Sequence, residues 1–115
     1  MHVSTGMSDA LGKYLDLTAA QMKLTAGNIA NIDTPGFKTK GFDFEHEFST
    51  ALHSGGGNSP AVGEVDGLVA RPDGNTVSLD RESLMMAKTQ LQFRTGVELL
   101  KHQFSSVMSA IHADK

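Results

Sequence analysis

One serine of this chain lies in a setting that resembles the nucleophile of a hydrolase. The stretch Gly57-Asn58-Ser59-Pro60-Ala61 approaches the G-x-S-x-G elbow, in which a serine attacks a carbonyl carbon from a sharp turn. The final glycine is missing, and 115 residues of this pattern supply neither the large α/β sheet nor the paired base that such chemistry needs. We therefore expect a solvated linker here, and a chain that is not an enzyme.

Histidine and carboxylate side chains are the next candidates for chemistry. The five histidines show no i,i+4 pair and no recognised metal-ligand spacing. Glu45, His46 and Glu47 are adjacent, but adjacent residues diverge on a helix and alternate faces on a strand. No cysteine is present, which excludes disulfides, thiolate metal sites and a cysteine nucleophile. We expect a hydrated acidic surface with no metal and no cofactor.

Two asparagines are more informative. Asn28 and Asn31 are three residues apart at the end of a helical pattern, so they share a face and can reach a neighbouring backbone or the last free carbonyls. Asn31 is explained as an ordinary helix terminator. Asn28 lies a turn earlier beside Ile29, which favours a polar residue that fixes the register between packed helices.

A sharp turn follows the asparagines. Proline pushes Thr34 toward an extended conformation, and Pro35-Gly36 suits the two central positions of a type II turn. Phe37 comes next, either as an anchor inserted into another subunit or as the residue that closes its own turn. The chain thus has a defined turn after its first helix.

The first element that must position this turn is a helix from Met7 to Asn31. Leu17 and Leu24 lie about 200° around the helix from its main seam, so they need a separate cover. The seam itself alternates spacings of four and three, as in a coiled coil, through Leu11, Leu15, Thr18, Met22, Thr25 and Ile29.

A second helix of about thirty residues is predicted after Asp80, which is a plausible N-cap. Leu84 and Leu91 form a separate apolar stripe on it. Its main seam again alternates four and three through Phe93, Val97, Leu100, Phe104, Val107 and Ile111. We expect this seam to pack against that of the first helix, which leaves Leu17 and Leu24 for adjacent subunits.

The predicted fold is mainly α, with both long terminal helices paired as an antiparallel coiled-coil-like hairpin around a small irregular or β middle segment. We divide one structural domain into residues 1–31, 32–79 and 80–115. In the middle, phenylalanines indicate an extended piece that runs into a short amphipathic turn, and a small hairpin is predicted between Leu68 and Val77.

Composition and charge narrow the class of protein. The chain is 39% hydrophobic and 20% charged, as in ordinary soluble proteins. Its net charge of −3 is concentrated in residues 32–79, which carry −4, so no basic stripe for nucleic acid exists. We expect neither a cleaved secretory signal nor a membrane span. Long helices on so small a chain predict a protein that assembles.

Two segments carry a resemblance to a known family. Residues 28–38, hereafter the first motif, match the N-I-A-N-x-x-T-P-G-[FY]-K signature of bacterial flagellar rod, hook and hook–filament junction proteins without a departure. Residues 73–82, the second motif, read D-G-N-T-V-S-L-D-R-E and resemble the D-G-N-T-V-D-L-D-R-E stretch of proximal rod subunits, with Ser78 as the difference.

The resemblance implies a structural rod subunit of the flagellar basal body. Such subunits stack their terminal helices with copies of themselves and other rod subunits, near ring and export-gate components, into a tube that transmits torque and surrounds the export channel. They reach the periplasmic rod from the cytoplasm by type III export, without a cleaved signal. The alternatives are the other small proximal rod subunit and a cytoplasmic helical adaptor or export chaperone.

Overall fold

The computed structural model describes residues 2–54 and 59–113, which form an elongated body of 69 × 26 × 17 Å. The elements in chain order are α1 (His2–Ala30), β1 (Lys40–Gly41), α2 (Phe44–Ser54), β2 (Gly63–Glu64) and α3 (Leu79–Ala113). The predicted fold class, mainly α with long terminal helices and a small β middle, is confirmed.

Small and polar side chains fill the contact between α1 and α3, which run antiparallel. The buried residues of α3 recur every seven positions, at Glu82, Thr89 and Gly96. Heptad spacing keeps one face of a helix toward its partner. Opposite them, α1 buries Leu17, Thr18, Gln21, Thr25 and Asn28. The two threonines of the predicted α1 seam are therefore buried, but most of the residues that α1 buries are polar.

Two parts of the predicted helix packing are wrong. Leu17 was expected to face adjacent subunits, yet only 6% of it is exposed. Phe93, Phe104 and Ile111 were expected inside and are 37%, 68% and 47% exposed. The reason is Gly96: an added Cβ there would lie 2.8 Å from Leu15 Cδ2. The helices approach each other over this glycine, and a phenylalanine at the contact would hold them apart.

Two local predictions also need correction. Helix α3 begins at Leu79, and its cap is Ser78, not Asp80, because Ser78 Oγ accepts a hydrogen bond from the Arg81 amide at 3.2 Å. The hairpin between residues 68 and 77 does not form. Instead β2 pairs with β1, antiparallel, with Gly63 opposite Gly41. Across the turn the Arg71 amide donates to the Asn75 carbonyl at 2.9 Å, and side chains of the turn bond to the segment that follows α1.

Helix α2 covers the middle of α1. Asp43 caps it, accepting a hydrogen bond on Oδ1 from the His46 amide at 3.1 Å. Tyr14 of α1 packs edge-on against Phe44 and Phe48, with ring centroids 5.4 and 5.5 Å apart. Lys13 Nζ donates to a carbonyl of the last turns of α2 at 3.0 Å. The phenylalanines of the middle segment thus cover part of the first helix.

The close helix approach at Gly96 can be tested by substitution. We expect Gly96→Val to lower the free energy of unfolding by about 1–3 kcal/mol, because the new side chain overlaps Leu15 and Tyr14. Urea unfolding followed by far-UV circular dichroism measures this. Gly12→Val is the matched control, since nothing lies within 4 Å of a Cβ at that helical glycine. Equal stability of the two variants would contradict the close approach.

Candidate functional site

The first and second motifs, 35 residues or more apart in sequence, dock on each other. The Gly36 amide donates to the Asp73 carbonyl at 2.8 Å, and the Thr76 amide donates to the Phe37 carbonyl at 3.1 Å. The Thr39 amide donates to Thr76 Oγ1 at 2.8 Å. This pair of segments, here called the joint, lies where α1 ends and α3 begins.

The turn of the first motif has the predicted type II geometry. The Phe37 amide donates to the Thr34 carbonyl at 3.2 Å, and Gly36 has φ 74°, a conformation that suits glycine. Gly74 of the second motif has φ 86°, and a Cβ there would lie 3.4 Å from the Gly36 Cα. Each glycine therefore provides a turn, and together they let the two backbones touch.

Asn75 is the fully buried centre of the joint. Its Nδ2 donates to the Asn31 and Thr34 carbonyls at 2.9 and 2.8 Å, and its Oδ1 accepts from the Val77 amide at 2.7 Å. Both carbonyls belong to the turn that directly follows α1. Asn75 therefore holds this turn from the second motif.

Two basic side chains donate hydrogen bonds to backbone carbonyls in the same region. Arg71 donates from Nη1 to the Val77 carbonyl at 2.8 Å and from Nη2 to the Ile32 carbonyl. Lys38 Nζ donates to the Gly74 carbonyl at 2.6 Å. Positive charge is favourable near the carboxyl end of a helix. The arginine thus joins the end of α1 to the approach to α3.

Asn28 connects three elements. Its Nδ2 donates to Glu82 Oε1 at 2.7 Å and to the Lys40 carbonyl at 2.9 Å, while its Oδ1 accepts from the Lys40 amide at 3.0 Å. Glu82 is itself fully buried, and its Oε2 accepts from Arg81 Nη1 at 2.5 Å. The arrangement is that of a polar residue fixing the register of α1 against α3.

Asn31 and Phe37 have local roles in the structure. Asn31 Nδ2 donates to the Gly27 carbonyl at 2.8 Å, and Asn31 Oδ1 accepts from Thr34 Oγ1 at 3.0 Å, as in a helix terminator. Phe37 is half-buried within its own chain, and Lys40 Nζ lies 5.8 Å from its ring centroid. The remaining seam residues of α1, namely Leu11, Leu15, Met22 and Ile29, are half-buried, as are Val97, Leu100 and Val107 of α3. Leu24, on the opposite face of α1, is also half-buried.

Sequence reasoning missed Asn75, Arg71, Glu82, Thr89 and Gly96. The seven-residue spacing of Glu82, Thr89 and Gly96 could have revealed them. Hydrophobic periodicity favours the apolar seam instead, because none of these three residues is hydrophobic. Nothing in the spacing of Asn75 marked it as the partner of α1, because that pairing links residues more than forty positions apart.

The residues considered for catalysis and metal binding lie in and beside helix α2. Glu45, His46 and Glu47 lie in the first turn of α2, where acidic residues are favourable. Ser59 is exposed, and Gly57 and Asn58 of the elbow-like stretch lie outside the described residues. Across residues 2–54 and 59–113, no three His, Asp or Glu side chains converge on a point that could hold a metal ion. In the same residues, no helix has the length and apolar character needed to cross a membrane.

Comparison with known proteins finds similarity to flagellar basal body rod proteins. The model of a family described as "Flagella basal body rod protein" matches residues 15–38. The chain is 31% identical to the flagellar basal body rod protein FlgB of Salmonella typhimurium, over 84% of this chain and 86% of that protein. It is 32% identical to FlgB of Cereibacter sphaeroides strain ATCC 17023, over 96% and 99%, and 26% identical to FlgB of Escherichia coli K12, over 86% and 88%.

Proposed function

Because the chain belongs to the FlgB family of flagellar basal body rod proteins, we propose that it is a rod subunit that assembles through its two terminal helices into a tube. The family relationship predicted from the two motifs is confirmed. Members of the family are structural proteins, and no step of catalysis enters the proposal. The same relationship favours a rod subunit over a cytoplasmic adaptor or export chaperone.

One observation carries the proposal: the apolar side chains of α3 lie mostly outside. Leu84 is 74% exposed and Leu91 63%, on the face away from α1. Phe104, at 68%, lies toward the other end of the helix. Since the contact between α1 and α3 uses small and polar residues, these apolar groups remain available to neighbouring subunits. Contiguous exposed apolar surface is typical of an interaction site.

The joint gives the assembly its geometry. It fixes where the chain leaves α1 and where it enters α3, so both connections of the middle segment lie at one end of the helix pair. In the proposed tube, many lateral contacts between helices make the wall stiff enough to transmit torque, and the helices surround the export channel. A chain with no cysteine and a polar helix contact also unfolds at little cost, which suits passage through an export apparatus before assembly.

A double substitution on the outer face of α3 tests the function. We expect Leu84→Asp combined with Leu91→Asp to abolish incorporation into basal bodies and motility, because it places two charges in the proposed subunit contact. The measurement is immunoelectron microscopy of basal bodies purified from cells that make the tagged chain. Stability of the free chain should change by no more than about 0.5 kcal/mol, since both leucines are exposed.

The matched control is Gln90→Asp, which adds a charge at an exposed polar position of the same helix. We expect this variant to incorporate normally. Wild-type chain that is absent from purified basal bodies would contradict the proposed function. Normal incorporation of the double variant would contradict only the assignment of this face.

A further inference from the structure

The middle segment contains two Asp-Gly pairs, Asp66-Gly67 and Asp73-Gly74. An aspartate followed by glycine can close a succinimide ring, because glycine has no side chain to shield its amide nitrogen. That nitrogen attacks the side-chain carboxyl carbon, a C–N bond forms, and the amide hydrogen leaves with a carboxyl oxygen as water. Water then opens the ring at either carbonyl. Opening at the backbone carbonyl gives isoaspartate, in which the chain continues through the side chain, and no reactant other than water is needed.

The joint holds the pair Asp73-Gly74. The Gly74 amide, which would be the nucleophile, donates to the Arg71 carbonyl at 2.8 Å. Asp73 Oδ1, on the carboxyl group that would be attacked, accepts from the Asn75 amide at 3.0 Å. Ring closure turns this carboxyl group onto the amide nitrogen, so both hydrogen bonds must break first. The folded chain should therefore protect this pair.

The pair Asp66-Gly67 lies in a different environment. It forms the turn after β2, and both residues are exposed. Within residues 2–54 and 59–113, neither the Asp66 carboxylate nor the Gly67 amide has a hydrogen-bond partner. Nothing lies within 4 Å of a Cβ built on Gly67, so neighbouring groups leave open space around it. The carboxyl group and the amide nitrogen are therefore free to meet.

We propose that Asp66-Gly67 is a site of spontaneous isomerisation in the folded chain, and that the joint suppresses the same reaction at Asp73-Gly74. The product adds one methylene to the backbone directly after β2 and frees an α-carboxylate. Protein isoaspartate methyltransferases, as a class, methylate that carboxylate, so the aged chain is a substrate for an enzyme of this class. The proposal goes beyond the rod function and does not rest on it, because the reaction needs only the folded chain and water.

The site lies between two anchored points of the backbone. On one side the Val65 amide donates to the Thr39 carbonyl at 2.9 Å, and on the other the Arg71 amide donates to the Asn75 carbonyl at 2.9 Å. The extra methylene thus lengthens only the exposed segment between these bonds. We expect the helix pair to survive the modification, with an unchanged far-UV circular dichroism spectrum.

Peptide mapping of the aged chain tests the proposal. The purified full-length chain, kept folded at neutral pH and physiological temperature, would be sampled over several weeks and digested with a protease specific for glutamate. Residues 65–82 then form one peptide that carries both pairs, because Glu64 and Glu82 are successive glutamates. Electron-transfer fragmentation distinguishes isoaspartate from aspartate at each position. Deamidation of Asn75 also gives isoaspartate in this peptide, but it raises the mass, whereas isomerisation leaves the mass unchanged.

We expect isoaspartate to accumulate at least about tenfold faster at position 66 than at position 73, because two hydrogen bonds must open at the second pair. Chain kept unfolded in guanidinium chloride is the control. Both pairs should then react at similar rates, since glycine follows aspartate in each and no structure protects either. Position 66 should react in the folded chain about as fast as in the unfolded chain.

Two variants assign the reaction to its pair. Asp66→Glu should remove the product at position 66 and leave the rate at position 73 unchanged, because glutamate would have to close a larger ring. Asn75→Asp, which changes the centre of the joint, should raise the rate at position 73 toward that of the unfolded chain and leave the rate at position 66 unchanged.

The proposal is wrong if positions 66 and 73 react equally in the folded chain. It is also wrong if only the unfolded chain forms isoaspartate at position 66, since the fold then protects this pair as well, or if neither state forms it there. These results leave the rod function untouched, because that function is judged by incorporation into basal bodies.

Discussion

Replacing Asn28 with alanine is expected to lower the free energy of unfolding by about 3–5 kcal/mol. The substitution removes three hydrogen bonds and leaves a buried carboxylate oxygen of Glu82, together with the Lys40 amide and carbonyl, without their partner. Glu82 keeps its ion pair with Arg81, but a buried charged group that loses a hydrogen bond is costly. Since small domains are stable by only about 5–15 kcal/mol, this loss is a large part of the total stability.

The control for Asn28→Ala is Asn31→Ala, in the same motif and three residues away. The Asn31 side chain bonds only to groups in its own turn region, and the residue is half-buried. We expect a loss of about 1 kcal/mol or less. Both values come from urea unfolding monitored by far-UV circular dichroism. Similar losses for the two variants would mean that Asn28 does not fix the register between α1 and α3.

The fold was predictable from the sequence because its largest elements are local. Helices α1 and α3 follow from periodicity over 25 residues or more, and the type II turn at Pro35-Gly36 follows from the residues within it. The packing face of α3 was not predictable in the same way. Periodicity ranks hydrophobic side chains highest, whereas the structure selects Gly96 and Thr89, which permit close approach of the helices.

The docking of the two motifs shows a second limit of predicting structure from sequence. Each motif could be recognised separately, but nothing in either one states that they bind each other. Their contact depends on side-chain to backbone hydrogen bonds from Asn75 and Arg71 across about forty residues of chain. The prediction of a hairpin at residues 68–77 is wrong for the same reason. Its turn was identified, but the competing partner at the end of α1 could be seen only in three dimensions.

The docking of the motifs also explains why the first motif contains so many residues with restricted roles. Asn28 holds α3 through Glu82, while Gly36 lets the chain turn and approach Gly74. The two helix ends are therefore fixed by one connected set of hydrogen bonds. A defect in the second motif should then disturb the end of α1, although the two are far apart in sequence.

Asn75→Asp tests that coupling with a nearly isosteric change. The carboxylate keeps an oxygen for the Val77 amide, but it cannot donate to the Asn31 and Thr34 carbonyls, and it places a negative charge against them in a buried site. We expect a loss of about 3 kcal/mol in the free energy of unfolding, because the buried carboxylate loses both hydrogen bonds that Asn75 Nδ2 donated and faces two carbonyl oxygens instead.

Hydrogen exchange of individual amides locates the effect. The Gly36 and Thr76 amides, which join the two motifs, should lose their protection in Asn75→Asp, because the contact they make across the joint opens. Asp73→Asn is the control: its amide oxygen still accepts from the Asn75 amide, so both amides stay protected and stability changes by no more than about 0.5 kcal/mol. If the Gly36 amide remains protected in Asn75→Asp, the end of α1 is held independently of the second motif, and the joint is two separate turns.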